Sequence, residues 1–255
     1  MPREHAKPWY WVQSLFEGAL RIGFGRADPE NIFAGHKLQS ANLFFLNKAF
    51  STNPTVAYPG SGDVIAASLK PVEWFYVGGG IFNAYGNTTS IETSRLFDTW
   101  RVFSFGEIGF TPTIEGVGAG RYRVALWHID ARPDDGRPSD EGFSLIADQA
   151  VGEQWMIFAR YGYSDAGVTN VRHLGEAGAT YKGLLTGPES LTGFAAAIAD
   201  PRSGDRQEKI LEVFHRIQVT PQSQFTLGAQ LIIDPVNAPD DDMLAVFSAR
   251  FRIAF

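Results

Sequence analysis

The chain has 255 residues, with 22 Lys+Arg against 28 Asp+Glu, a formal net charge of -6, and no cysteine. The absence of cysteine excludes a disulfide framework, a thiolate nucleophile and a cysteine metal site, and the mild acidity without a basic block argues against a nucleic-acid partner. No apolar run approaches the roughly 18 residues of a membrane helix, a test that a barrel of alternating strands would pass unnoticed.

The first stretch, MPREHAKPWYWVQSLF, has no basic region followed by an apolar core and a small-residue cleavage site. An exported barrel needs a signal, so the expectation is a removed signal peptide or, better, a piece of a longer chain. Turn signals then cut the sequence into alternating segments. Candidate strands, with bounds good to about 2–4 residues, are Pro8–Phe16, Glu17–Arg26, Asp63–Lys70, Glu73–Phe82, Trp100–Phe110, Ala119–Asp130 and Gly142–Gln149. They continue as Gln154–Ser164, Gly175–Leu184, Leu191–Ala199, Glu208–Val219, Gln222–Ile233 and Met243–Phe255. That makes 12–13 strands and predicts an all-β chain. Its longest connection, 27–62, is expected to hold a short helix around Leu43–Ala49 and to fold over or into whatever the strands enclose.

The connections fall into two alternating classes. Tight ones lie near Glu17 and at 70–72, 111–118, 150–153, 185–189 and 220–221, while long polar ones run through 27–62, 83–99, 131–141, 165–174, 200–207 and 234–242. Short turns on one side and long loops on the other are the asymmetry of a bacterial outer-membrane barrel, with the long loops outside the cell. The last strand carries the same message. In MLAVFSARFRIAF, every second residue from Met243 to Phe255 is apolar, and Arg250 and Arg252 share the other face. One side faces lipid and the other water. A terminal aromatic on the apolar side resembles a C-terminal targeting strand, which implies a partner in the barrel-assembly machinery. With the C-terminus periplasmic, residue 8 falls at the extracellular end and the strand number is odd. Bacterial barrels have even numbers, so at least one upstream strand is expected to be missing.

Four stretches read together resemble the carbohydrate-selective outer-membrane porin family of the OprB type. They are Ala19–Gly23, the run FFLNKAFSTNPTVAYPG (Phe44–Gly60), Trp74–Val77 after Pro71, and the last two hairpins with Arg216–Pro221, Gln230–Pro235 and the closing strand. The resemblance implies an antiparallel transmembrane β-barrel of about sixteen strands, of which residues 1–255 form a single domain, incomplete at the N-terminus. It implies passive passage of mono- or oligosaccharides, with no cofactor.

Alternation assigns the wall of such a channel. An arginine facing the bilayer midplane costs roughly 2–4 kcal/mol, so mid-strand arginines point into the lumen. Inward parity belongs to Arg21, Arg101, Glu107, Arg121, Arg123, Trp127, Arg160, Glu212, Arg216, Gln218, Gln224, Gln230, Arg250 and Arg252. Guanidinium forks, carboxylates and amides bind sugar hydroxyls, and Trp127 offers a stacking face. The same wall suits an anion-preferring or general porin, or a plugged structural or adhesive barrel, and arginines of this kind also merely brace a wall. Trp9, Trp11, Trp74, Trp100 and Trp155 lie near strand ends, where they read as girdle anchors.

Enzyme and metal signals are weak. The five histidines, His5, His36, His128, His173 and His215, show no metal-ligand spacing, and no Gly-x-Ser-x-Gly occurs. Catalytic residues and metal ligands are therefore expected to be none. Acidic clusters at Asp134–Asp135 and Asp240–Asp242 read as solvated loops, with divalent bridging to lipopolysaccharide the alternative. The remaining partners expected are outer-membrane lipid, transported sugars and, open from sequence, a second copy of the chain.

Overall fold

The structure, a computed structural model, describes residues 8–202 and 206–254. His5 and the terminal Phe255 lie outside them. The strands are β1 (Trp9–Leu15), β2 (Leu20–Ala27), β3 (Gly62–Val72), β4 (Phe75–Asn83), β5 (Val102–Phe110), β6 (Thr113–Ile114) and β7 (Gly118–Ile129). They continue as β8 (Asp140–Val151), β9 (Trp155–Ser164), β10 (Val171–Lys182), β11 (Leu191–Pro201), β12 (Glu208–Thr220), β13 (Ser223–Ile233) and β14 (Met243–Ile253). All belong to a 14-stranded antiparallel sheet in chain order, with the two-residue β6 off the path and paired only with β7. Each strand expected from the alternation is present. Pro71 does not end β3, because the register shifts between Leu69 and Val72, and a bulge is where a strand tolerates proline.

Two α-helices among the described residues, α1 (Lys48–Ser51) and α2 (Thr93–Thr99), lie in the long connections, with single 3-10 turns at Pro29–Asn31 and Pro133–Asp135. The helix expected around Leu43–Ala49 begins later. Asn47 Oδ1 accepts the Ala49 N–H at 3.0 Å and so caps α1, which leaves residues 41–44 as turns.

Alternation sorts the side chains as an inverted core. Outward residues are exposed and apolar, among them Ile65, Leu126, Phe194 and Phe247, the last 83% exposed. Buried hydrophobics gather instead on the inner face, in two clusters around Phe33, Phe103 and Trp127 and around Phe45, Phe158 and Phe214. Both clusters are completed by the 27–62 segment. That segment packs Phe33 against Phe105 of β5 at a centroid distance of 4.9 Å and bonds Ala41 and Phe44 to Arg250 of β14. The nine strands from β5 to β14, β6 aside, would span about 38 Å if flat. A turn-rich run of chain reaches both ends only because the sheet curls around it. Among the described residues β1 pairs only with β2, and β14 only with β13.

Candidate functional site

Irregular backbone at membrane depth persists only where its polar groups are satisfied by protein or by a water-filled lumen. The 27–62 segment meets this condition through the inward-facing charges of the sheet. Asp148 of β8 accepts the Lys37 N–H at 2.7 Å. Glu212 of β12 accepts those of Leu46 and Asn47 at 2.6 and 2.9 Å, one on each oxygen. Carbonyls meet guanidiniums instead. Arg160 of β9 donates to Ala49 O at 2.8 Å and to Thr52 O, Arg123 to Gly35 O, and Arg216 to Leu43 O at 3.0 Å. Charge-assisted bonds of this kind contribute about 1.5–3 kcal/mol each. Carboxylates for amides and guanidiniums for carbonyls make the inner wall a receptor for its own longest loop.

Aromatic packing and two asparagines complete the docking. His36 stacks on Phe158 with centroids 4.0 Å apart, and Phe45 meets Phe214 edge-on at 5.0 Å. Asn53 donates to Ser144 Oγ at 2.9 Å and turns the chain by accepting from Thr55 Oγ1 at 2.8 Å. Asn47 reaches Gln230 at 3.1 Å.

The sheet side chains also pair among themselves, Arg121 with Asp148 and Arg160 with Glu176 directly opposite in register and the others diagonally. Tyr76 donates to Glu107 at 2.5 Å, and Glu107 pairs with Arg123 at 3.2 Å. Arg123 and Arg121 flank Asp148 at 3.6 and 2.8 Å. Farther along, Arg160 and Glu176 meet at 2.8 Å with neither side chain exposed.

The expected wall residues therefore divide. Arg21 stands exposed on the inner face of β2, and Arg121, Arg216, Gln218, Gln230, Arg250 and Arg252 are partly exposed there. Glu107 keeps 13% of its side chain open and Arg123 only 4%. Arg160 and Glu212 are buried beneath the loop, where a passing solute does not reach them. Trp127 has inward parity but is 4% exposed, stacked on Phe103 at 6.1 Å, so its ring is no open platform for a sugar. Arg101 precedes β5 in an exposed connection. The sequence reading did not single out Asp148, Glu176 or Tyr76. For the two acids the signal was present: a mid-strand carboxylate must face inward for the same reason as an arginine; a tyrosine carries no such constraint. The five tryptophans near strand ends are all exposed, from 38% at Trp155 to 65% at Trp100, as girdle residues are.

On the β1–β5 side of the loop, the inner wall keeps a cavity of about 840 Å³, lined in part by Arg21, Ser68, Tyr76, Glu107, Phe33 and Phe105. That volume is within the ~300–1,000 Å³ of small-molecule sites. A groove of about 910 Å³ on the other face, lined by residues such as Trp155, Phe194, Val213 and Phe247, is apolar and faces lipid.

Known proteins resemble the chain over nearly its whole length. The sequence profile of the carbohydrate-selective porin, OprB family, matches residues 2–255. Porin AaxA of Chlamydia abortus is 24% identical over 247 residues, covering 93% of this chain and 54% of the relative. Porin AaxA of Chlamydia trachomatis serovar L2 is 27% identical over 227 residues, covering 83% and 47%. This chain thus spans about half the length of these curated relatives. Among solved structures, Pseudomonas putida OprB at high pH superposes with a TM-score of 0.75 at 19% identity, covering 96% of this chain and 72% of that one. Its low-pH structure gives 0.63. The chain belongs to the carbohydrate-selective porin family, a family of outer-membrane channels rather than enzymes.

Proposed function

We propose that this member of the carbohydrate-selective porin family lines a passive outer-membrane pathway for mono- or oligosaccharides. The observation that supports the reading is the docked 27–62 segment. It narrows the enclosed space while leaving a wall in which Arg21, Glu107, Tyr76 and Ser68 face one cavity. A sugar entering that space exchanges water for guanidinium, carboxylate and hydroxyl partners, and Phe33 and Phe105 offer apolar faces. In this reading Arg21 and Glu107, which line that cavity, are the wall groups that contact it, and Arg123 and Arg160 act by holding the loop. Lipopolysaccharide around the girdle, the barrel-assembly machinery at the last strand and a homo-oligomer are proposed partners of the whole protein.

Planar-bilayer currents titrated with glucose and maltose test the reading. Saturable closure of stepwise channels by sugar is the expected result. Channels indifferent to sugar would replace the carbohydrate pathway with a general porin. Folded protein without channels would leave a plugged barrel.

A further inference from the structure

The guanidiniums of the inner wall fall into two classes. Arg121, Arg123 and Arg160 each face a carboxylate, at 2.8, 3.2 and 2.8 Å. Arg216, Arg250 and Arg252 make no carboxylate ion pair among the described residues, although register gathers them on β12 and β14, on either side of β13. Arg216 lies opposite Thr226 and Thr226 opposite Arg250. One step nearer the short-turn end, Gln218 lies opposite Gln224 and Gln224 opposite Arg252. The carboxylate two rows in the other direction, Glu212, is occupied on both oxygens by loop amides.

Loop carbonyls use only part of this donor set. Arg216 bonds Leu43 O through Nη1 at 3.0 Å, and its Nε has no hydrogen-bond partner among the described residues. Arg250 holds the carbonyls of Ala41 and Phe44, while the Arg252 side chain makes no hydrogen bond among those residues. Gln224 Nε2 donates to Gln218 Oε1 at 2.9 Å beside them. The half-buried Phe44 ring lies 5.8 Å from the Arg216 guanidinium.

Holding a neutral polyol does not require three clustered cations with no ion pair of their own among the described residues and one carboxylate, Glu212, acting on Arg250 from farther along the wall. Their mutual repulsion in a wall of reduced dielectric is relieved by an anion held in guanidinium forks. We propose that Arg216, Arg250 and Arg252 form a subsite for the oxyanion group, carboxylate or phosphate, of an acidic sugar, with Phe44 against the sugar's apolar face. The inference rests on the channel reading above and narrows its substrate class.

The test is current block in channels of the full-length protein, with glucose, gluconate and glucose 6-phosphate as probes. Gluconate and the phosphate should block about tenfold more tightly than glucose, and Arg252→Gln should erase that preference, as loss of one charge-assisted contact does. Arg252→Lys, which keeps charge but loses the fork, should fall between. Equal block by all three, or a preference unchanged in Arg252→Gln, overturns the subsite and leaves the sugar channel standing. Block by none of the three overturns both.

Discussion

Arg160 and Glu176 face each other across β9 and β10 at 2.8 Å, and neither side chain has any exposed surface. The same guanidinium bonds Gln39 Oε1 at 2.8 Å and Ala49 O at 2.8 Å in the inserted loop. The pair therefore joins the sheet to the loop.

Arg160→Ala should destabilise the protein by about 3–5 kcal/mol, because it leaves a buried carboxylate unpaired. Heat or denaturant unfolding measures this, and single-channel conductance should rise as the loop loosens. Replacing both partners, Arg160→Met with Glu176→Leu, should recover much of the stability but not the loop contacts. A single variant as stable as the parent would show that the pair does not hold the loop.

His36 links loop docking to pH. Burial and then the Arg160 charge hold its imidazole well below the ordinary 6.5. Nε2 bonds Phe50 O at 2.8 Å, and Nδ1 accepts the Leu38 N–H at 3.2 Å, a pattern only the neutral ring makes. An undocked His36 binds a proton near 6.5 while the docked one does not. Docking is thus fully stable above that pH and weakens as pH falls below it. Protease nicking within 27–62, followed against pH, should increase on acidification and flatten in His36→Gln. The reverse slope would mean that Glu176, 3.5 Å from Nε2, keeps the ring protonated.

Gly162 lies under the loop on β9, where an added Cβ would collide with Thr55. Gly162→Val should lift that part of the segment without touching a charge. Weaker sugar block with unchanged ion selectivity is the expected signature. Unaltered block would mean the loop does not define the narrow part of the pathway.

Facing can be tested directly with two valines. Val213 of β12 and Val246 of β14 are 48% and 41% exposed, so exposure does not tell them apart. Register does: Val246 stands opposite Gln230 on the inner face, whereas Val213 alternates with Glu212 and faces outward. Val213→Arg should lower stability in lipid by roughly 2–4 kcal/mol, and Val246→Arg should insert normally. Equal effects in heat-modifiability assays would refute the assignment.

What the sequence determined by itself was periodic. Side chains alternate along a strand, and charge is excluded from the lipid face, so strand positions, loop asymmetry and the inward parity of residues such as Arg123, Arg160 and Glu212 are all local properties. The run around Asn47 and Asn53 was legible as a signature, though not as the cap of α1 and the tie to Ser144. Only the tertiary structure decided which inward groups meet the solute space. A loop without periodicity chooses its seat through contacts far apart in sequence, such as Leu46 to Glu212 and Lys37 to Asp148. Parity places Trp127, Arg160 and Arg252 on one face; the path of 27–62 covers the first two and leaves the third partly open. That outcome depends on where the curled sheet brings distant strands together, which no period in the sequence encodes.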